Sequence, residues 1–430
     1  MSDSEDTDGS GVVEWPVTKE WLENVLSIYH DANAGNDGGG GEGERVTGSK
    51  VTVEEFEVSP GCTLGESVLS DILAVSMDYT INGDDKVKLS VIVKLLPQDP
   101  FSRFFVTEAQ FDLREIKFYT QVVPDLKAFQ RKQLANSSST EFELPIPNCI
   151  HAHYKSAGGT EDTPEPPESF LILENLRTRG YEGAEFSRGL TLRQAEAALS
   201  AIARLHALSL SLKVKEDRSL SDKYQFLFQT ARATDSYQQL VERGLPQLAR
   251  FLERRPGSEA VLEDLLALRP KTKEIISSLL VPEDPLALIT HTDFWCNNLL
   301  FKDEDDECKC AILDWQMVTY SRPTNDIALL LVSSVPTELR RLHTAALLDK
   351  YWQTLLETCL PLGVNILEDL NYTREDLDKD YRRSQLLALL LCIGSVDVAL
   401  GDPLTEQRLI DLLEDLHNDG VLSLETANVM

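Results

Sequence analysis

The sequence predicts an α+β protein in two lobes, a strand-rich N-lobe followed by a mostly helical C-lobe. Three observations carry that prediction. Between residues 51 and 96 lie three runs rich in β-formers, separated by glycine-bearing loops. Beyond Gly189 nearly every apolar pattern has helical spacing. Within that helical half a single pair of strand-like runs stands alone, at 298–302 and 308–314.

Taken in order, residues 1–12 are dominated by Ser, Asp and Gly and predict no packed structure. Trp21, Leu22, Val25, Leu26 and Tyr29 form a stripe that predicts a helix over 15–29, followed by a Gly/Asn/Glu linker over 31–48. Strands are expected at 51–58, 72–80 and 87–96, with Asn82-Gly83 turning a hairpin between the last two. A helix follows over 108–122. The polar stretch 156–168, with Gly158-Gly159 and three prolines, reads as a surface loop before a buried strand at 170–173. Thr191 and Gln194 make a capping box for a helix through Leu210. Further helices fit 237–254, 259–280, 337–360 (stopped by Pro361), 376–400 and 406–417.

Charge narrows the function. Asp and Glu number 71 against 41 Lys and Arg, a net charge of −30. Such a field repels polyanions, which argues against nucleic acid and anionic membranes as partners. A bound nucleotide would need local compensation by a metal, a lysine or backbone amides. The seven cysteines form no C-x-x-C pair and predict reduced thiols, not disulfides or a zinc site. Residues 1–11 lack the apolar core of a signal peptide, and the run at 386–393 is too short to span a bilayer. A cytoplasmic enzyme is the expectation.

The segment from His291 through Thr292 and Asp293 to Asn298 runs directly into the strand pair. If the acidic stretch 303–307 closes a hairpin, Asn298 falls opposite Ile312 or Asp314, and an even register keeps Asn298 and Asp314 on one face. Two oxygen ligands so placed suit one Mg²⁺, which also takes substrate phosphate oxygens. Asp293, just before, is placed to accept a hydroxyl proton as that hydroxyl attacks a phosphoryl group. The acidic stretch itself reads as a solvated turn, since it lacks the glycine of an EF-hand loop.

In the strand over 87–96, Val87, Leu89, Val91 and Val93 share one face, and Lys88, Ser90, Ile92 and Lys94 the other. Lys94 would meet phosphates and Ile92 would cover adenine. Glu108, Phe111, Glu115 and Phe118 lie on one helical stripe, so Glu115 is the expected partner of Lys94, with Glu108 in reserve. The loop 61–70, holding Gly61 and Gly65, reads equally as a phosphate cover or an ordinary turn. His206 shares a face with Leu199 and Ile202 and reads as a core histidine, while His151 and His153 attract no role. Tyr224, Phe226, Phe228, Trp295 and Trp352 would line an apolar pocket or, for most of them, fill the core.

With these residues in place, the sequence resembles the ecdysteroid kinase-like family, related to choline kinases and aminoglycoside phosphotransferases and sharing their protein-kinase-like two-lobed fold. The resemblance rests on Val93-Lys94 to Pro97, Glu115 to Tyr119 and Pro124, Leu171-Ile172-Leu173-Glu174-Asn175-Leu176, and Leu205-His206 to Ser209. It continues in His291-Thr292-Asp293 to Phe301 and in Ile312-Leu313-Asp314-Trp315-Gln316 to Asp326. On this likeness the chain divides into a flexible segment with one helix (1–48), an ATP-binding lobe (49–175) and a lobe with catalytic loop and substrate site (176–430). The resemblance implies ATP and Mg²⁺ as cofactors, Asp293 as catalytic base, Asn298 and Asp314 as metal ligands, and Lys94 on the phosphates with Glu115 holding it. It further implies the backbone of Leu171 through Leu173 to Glu174 on adenine, and Asp326 as a structural acid under the catalytic loop. The implied acceptor is a small-molecule hydroxyl, on an ecdysteroid or another lipophilic alcohol. Thr292 stands where the family usually has Gly.

A protein kinase is disfavoured, because only twelve positions separate Asp314 from Asp326 and no Ala-Pro-Glu-like end follows. Two rivals remain at this level. One is an ATP-binding scaffold without turnover; the other is an iron site of His291, Asp293 and either His343 or His417.

Overall fold

The computed structural model describes residues 17–34, 48–62, 69–135, 139–160, 163–216, 219–305 and 307–428. The first expected helix is α1 (Lys19–Ala34), with Leu22, Val25 and Leu26 buried. Residues 1–12, Trp15 and most of the 31–48 linker lie outside the described residues. An antiparallel sheet follows, built from β1 (Val51–Pro60), β2 (Asp71–Ile81), β3 (Val87–Leu95), β4 (Cys149–Lys155) and β7 (Glu168–Glu174), in the order β1-β2-β3-β7-β4. Asn82 and Gly83 turn the β2–β3 hairpin with φ of 54° and 84°. Within the 156–168 insertion, an exposed β5 (Gly158–Gly159) pairs with β6 (Pro164–Glu165).

Alternation along β3 sorts the two faces of the sheet. Val91 and Val93 join Val53, Leu73, Val75 and Ile172 in a core closed by α1. Ile92 and Lys94 lie on the opposite face, where the register sets Ile92 against Leu173 and Lys94 against Leu171. Leu171 and Leu173 belong to the core of the helical lobe, so this face is the one turned to the site.

The helix expected over 108–122 is broken. The chain runs through α2 (Pro100–Ala109), α3 (Phe111–Lys117), a π-helical turn (Phe118–Val122) and α4 (Val123–Leu134). Gln110, with φ of 57°, separates α2 from α3. Glu108 and Glu115 therefore sit on different helices, and Glu108 is exposed, which removes it as the reserve partner of Lys94.

In the helical lobe, α5 (Leu192–Lys215) begins at the predicted capping box of Thr191 and Gln194. By length and composition it would suffice to cross a bilayer, but 72% of that stretch is buried inside the protein, as in a core helix. Around it come α6 (Leu220–Lys223), α7 (Thr230–Leu252), α8 (Glu259–Leu268), α9 (Thr272–Leu280) and α10 (Thr324–Ser334), then α11 (Thr337–Cys359), α12 (Ile366–Asp369), α13 (Arg374–Gly394), α14 (Val396–Ala399) and α15 (Pro403–Asn418). The single helices expected over 259–280 and 376–400 are each two, parted by a 3-10 turn containing Pro270 and by Ser395. Sequence periodicity does not announce α10, because its apolar residues are buried all round and leave no stripe. The lobe also holds β8 (Glu182–Gly183), β9 (Leu288–Thr290), β10 (Leu299–Glu304), β11 (Glu307–Ile312) and β12 (Thr319–Ser321). β10 pairs with β11 and β8, and β9 pairs with β12.

Candidate active site

The loop between β9 and β10 carries Asp293, and a buried carboxylate sets its shape. Asp326, in the first turn of α10 and wholly buried, accepts from the backbone N–H of His291 at 2.8 Å and of Thr292 at 2.7 Å. His206 Nε2 lies 3.0 Å from the same carboxylate, and His206 Nδ1 lies 2.9 Å from the Tyr351 hydroxyl. His206 is thus a buried core residue, as expected, and also a strut under the loop. Thr292 adopts φ of 68°, a left-handed conformation that costs a non-glycine residue about 1–2 kcal/mol. Its hydroxyl lies 2.7 Å from Thr319 Oγ1 and 3.1 Å from Thr290 Oγ1, and Thr290 continues the buried cluster to Ser321 at 2.7 Å.

Beyond that turn, Asp293 Oδ2 accepts from Asn298 Nδ2 at 2.8 Å, and the same amide nitrogen donates to the Asp293 carbonyl at 2.9 Å. The Asp293 N–H donates to His291 Nδ1 at 3.2 Å, while His291 Nε2 lies 2.8 Å from the Leu313 carbonyl. Those two contacts assign the His291 proton to Nε2. Burial pushes the Asp293 carboxyl above its ordinary range, and Asp314 adds to this, while the hydrogen bond from Asn298 pulls the other way. A carboxylate whose pKa is moved towards neutrality is a better proton acceptor.

Lys94 organises the other half. Its Nζ lies 2.6 Å from Glu115 Oε2 and 2.7 Å from Asp314 Oδ1. Glu115 Oε1 accepts from the Trp315 N–H at 3.1 Å, and the Trp315 ring stacks on Phe118 at 4.0 Å, so α3 is locked to the segment after β11. Burial alone would lower the Lys94 pKa, but Asp314 and Glu115 together hold it above its ordinary value. Burial pushes the Glu115 carboxyl up against the pull of Lys94.

The hairpin register differs from expectation. Leu299 pairs with Ile312, which sets Asn298 against Leu313, and the Leu313 N–H donates to the Asn298 carbonyl at 2.8 Å. Neither Ile312 nor Asp314 is opposite Asn298. Asp314 reaches the site because it leaves the strand in a left-handed turn, with φ of 61°, not because it shares a strand face with Asn298. In the acidic stretch, of which residue 306 lies outside the described residues, Asp305 is exposed with φ of 48° and Glu304 is held by Lys302 and Lys309.

Where the resemblance places adenine, β7 lies between β3 and β4, so Leu171 pairs with Lys94 and Ala152, and Leu173 with Ile92 and Cys149. Their backbone groups are spent in the sheet, which corrects the expectation of main-chain adenine contacts from these two residues. Their side chains, beside Ile92 and Lys94, still present an apolar surface to the site. The chain leaves the sheet after Glu174, whose carboxylate is held by Arg179 at 3.1 Å and Asn148 at 3.0 Å. Arg177 Nη1 reaches back to the Gly61 carbonyl at 3.4 Å. At Gly61 a Cβ would stand 2.7 Å from Ile72 Cγ2, so glycine is needed there for close packing; Gly65 lies outside the described residues.

Two oxygens are of the kind a hard divalent cation takes. The Asn298 amide nitrogen donates both its bonds to Asp293, which leaves Oδ1 as the atom it could offer, and Asp314 carries a carboxylate. Among the described residues no group of three His, Cys, Asp or Glu side chains could hold a metal. That does not suit the iron triad. His417 pairs instead with Asp264 at 2.6 Å, and both ring nitrogens of His291 are occupied.

Of the aromatic candidates, Tyr224, Phe226 and Trp352 are core, and Phe228 stacks on Tyr320 at 4.6 Å. Trp295 is different, for with Phe186, Leu329, Leu391, Leu409 and Arg408 it lines an apolar cavity that opens on Asp293. Sequence reading missed Phe186 and Arg408. No local pattern marks them, since the cavity is assembled from helices far apart in the chain.

No curated protein matches the chain. Among solved structures, choline kinase from Cryptosporidium parvum is 13% identical, covering 86% of this chain and 92% of that one, with a TM-score of 0.44. Ethanolamine kinase from Plasmodium vivax is 12% identical, covering 92% of each chain, with a TM-score of 0.39. Amicoumacin kinase in complex with AMP-PNP and Ca²⁺ is 13% identical, covering 85% of this chain and 89% of that one, with a TM-score of 0.35. The model of the ecdysteroid kinase-like family matches residues 64–364, well over half of the sequence, and the chain belongs to that family.

Proposed function

We propose that this protein transfers the terminal phosphoryl group of ATP to a hydroxyl of a small lipophilic molecule, an ecdysteroid or a related alcohol. The observation that carries the reading is that Lys94 and Glu115 of the strand-rich lobe bond to and around Asp314, while Asp293 and Asn298 bond each other on a loop tied by Asn298 to Leu313, the residue before Asp314. Asp293 would accept the proton of the acceptor hydroxyl as its oxygen attacks phosphorus. Its Oδ2 is oriented by Asn298, which leaves Oδ1 for that proton. Lys94 would bind phosphate oxygens, with Glu115 fixing the ammonium in place. Asn298 Oδ1 and the Asp314 carboxylate would hold Mg²⁺, which when bound offsets the charge of the phosphates. Ile92, Leu171 and Leu173 would form the apolar surface on which adenine rests.

The test is ADP release by the purified chain with Mg²⁺ and ATP across ecdysteroids and other lipophilic alcohols, beside Asp293→Asn. The variant should bind Mg·ATP as the wild type does and lose transfer by about 10²–10⁴-fold. Transfer that survives the substitution would remove Asp293 as the base. A wild-type chain that binds no nucleotide would sink the reading, and one that binds ATP but serves no acceptor would be a scaffold.

A further inference from the structure

The cavity beside Asp293 lies among α10, α13, α14 and α15, with Phe186 and Trp295 at its edge. Its wall is largely apolar, and it carries two charged side chains, Asp293 and Arg408. Arg408, on α15, is only 8% exposed. Among the described residues its one hydrogen bond runs from Nη2 to the Phe186 carbonyl, at 2.9 Å, and its guanidinium lies over the Phe186 ring, 4.7 Å from the centroid. No carboxylate among the described residues pairs with it. Other buried arginines of this lobe differ: Arg340 meets Asp415 at 2.8 Å, and Arg322 pairs with Glu283. A guanidinium has five N–H donors in a rigid fork, and a buried cation without a counter-ion is costly. One bond to a carbonyl uses one donor, so holding Phe186 does not account for the whole group. Burial lowers the Arg408 pKa; the Cys296 and Cys392 thiols and the Asp402 carboxylate act the other way without reversing it, and none of them bonds to the guanidinium among the described residues. Arginine nonetheless keeps its charge at neutral pH.

We propose that Arg408 is the acceptor-specificity residue of this site, taking a carboxylate or carbonyl oxygen borne by an apolar acceptor away from the hydroxyl presented to Asp293. The inference rests on the phosphotransfer reading above and deepens it. The acceptor is then an apolar body with a hydroxyl and, separated from it, a hydrogen-bond-accepting oxygen. The same cation works against amino alcohols. An ammonium group in this cavity would meet Arg408, and its one possible counter-ion in the lining would be the base itself.

Four acceptors of matched chain length test this: an ω-hydroxy fatty acid, the corresponding hydroxy methyl ketone, the plain fatty alcohol and the ω-amino alcohol. Calorimetry on the full chain with Mg·AMP-PNP reads binding, and ADP release reads transfer. Wild type should bind the acid or the ketone about tenfold or more tightly than the plain alcohol, with the amino alcohol weakest. In Arg408→Met the oxygen-bearing acceptor's kcat/KM relative to the plain alcohol should fall by about tenfold or more, mainly through KM. Arg408→Lys, which keeps a donor cation, should retain part of that ratio. An arginine serving only to hold Phe186 would depress all four acceptors together and leave the ratio unchanged, which overturns the proposal. So would a wild type that binds acid and ketone no better than the alcohol. Failure of Mg·AMP-PNP to bind would instead count against the phosphotransfer reading, while the acceptor-binding ratios still decide the role of Arg408.

Discussion

The two halves of the site are held in opposite ways. On the catalytic-loop side, backbone amides of His291 and Thr292 bond to a buried carboxylate, Asp326, which His206 and Tyr351 support from behind. On the Lys94 side the structure depends on side chains from three separate elements, with Lys94 of β3 bridging Glu115 of α3 and Asp314 beyond β11. The first arrangement leaves nothing to exchange when a substrate arrives. The second has every charge already paired, so under the proposed phosphotransfer phosphates and a metal would enter by taking over contacts that Lys94 and Asp314 now make with each other. Groups whose aim must be accurate are tied to backbone, and groups whose partners must change are left to side chains.

That contrast can be broken by substitution. The largest effect is expected for Asp326→Ala, which orphans two buried amides and removes the partner of His206. Each buried donor left unpaired costs about 1–3 kcal/mol, so the urea midpoint should fall by the equivalent of about 3–5 kcal/mol. A loss under about 1 kcal/mol would mean that the loop is held by something else.

A smaller effect on folding, but a clear one on function, is expected for Lys94→Met. Burial already pushes the Glu115 carboxyl up, so without Lys94 it takes a proton and avoids standing as a bare charge beside Asp314. Stability should fall by about 1 kcal/mol, while Mg·ATP affinity falls by about tenfold or more. If the two variants unfold equally easily, the distinction between a rigid half and an exchangeable half is wrong.

The smallest effect sharpens the account of Thr292. Thr292→Gly relieves a left-handed strain of about 1–2 kcal/mol and loses hydroxyl contacts worth about 1 kcal/mol, so stability should change by less than about 1 kcal/mol. Thr292→Val keeps the strain and strips the hydroxyl from a buried cluster, for an expected loss of about 1–3 kcal/mol. Urea unfolding of the pair decides the matter. A glycine variant less stable than the valine variant would show that strain is not what the hydroxyl cluster offsets.

Much of the site was legible because short stretches of chain carry it. Asp293 and Asn298 are five residues apart in one loop, and Lys94 follows from simple alternation along β3. Glu115 was legible by its place near Phe118, although the helix that suggested it proved to be two, parted at Gln110. Other features were not readable. The β10–β11 register depends on a turn at Asp305 that acidic composition does not specify, and the left-handed turn at Asp314 depends on what closes over it. The spent backbone of Leu171 and Leu173 follows from their pairing with Lys94 and Ile92 of β3, a strand far back in the chain.

The sequence by itself determined the two-lobed α+β division, most of the strands and long helices, and the residue types that phosphoryl transfer requires. Those properties follow from local spacing, since periodicity, caps and turns act over a few residues at a time. Tertiary structure alone decided which carboxylate meets Lys94, that Asp326 bonds the loop through its backbone, and that Arg408, with no carboxylate bonded to it among the described residues, lines the cavity beside Asp293. Each of these joins residues tens to hundreds of positions apart. Burial in a shared core, which no local pattern encodes, is what fixes their distances and sets the charge on each group.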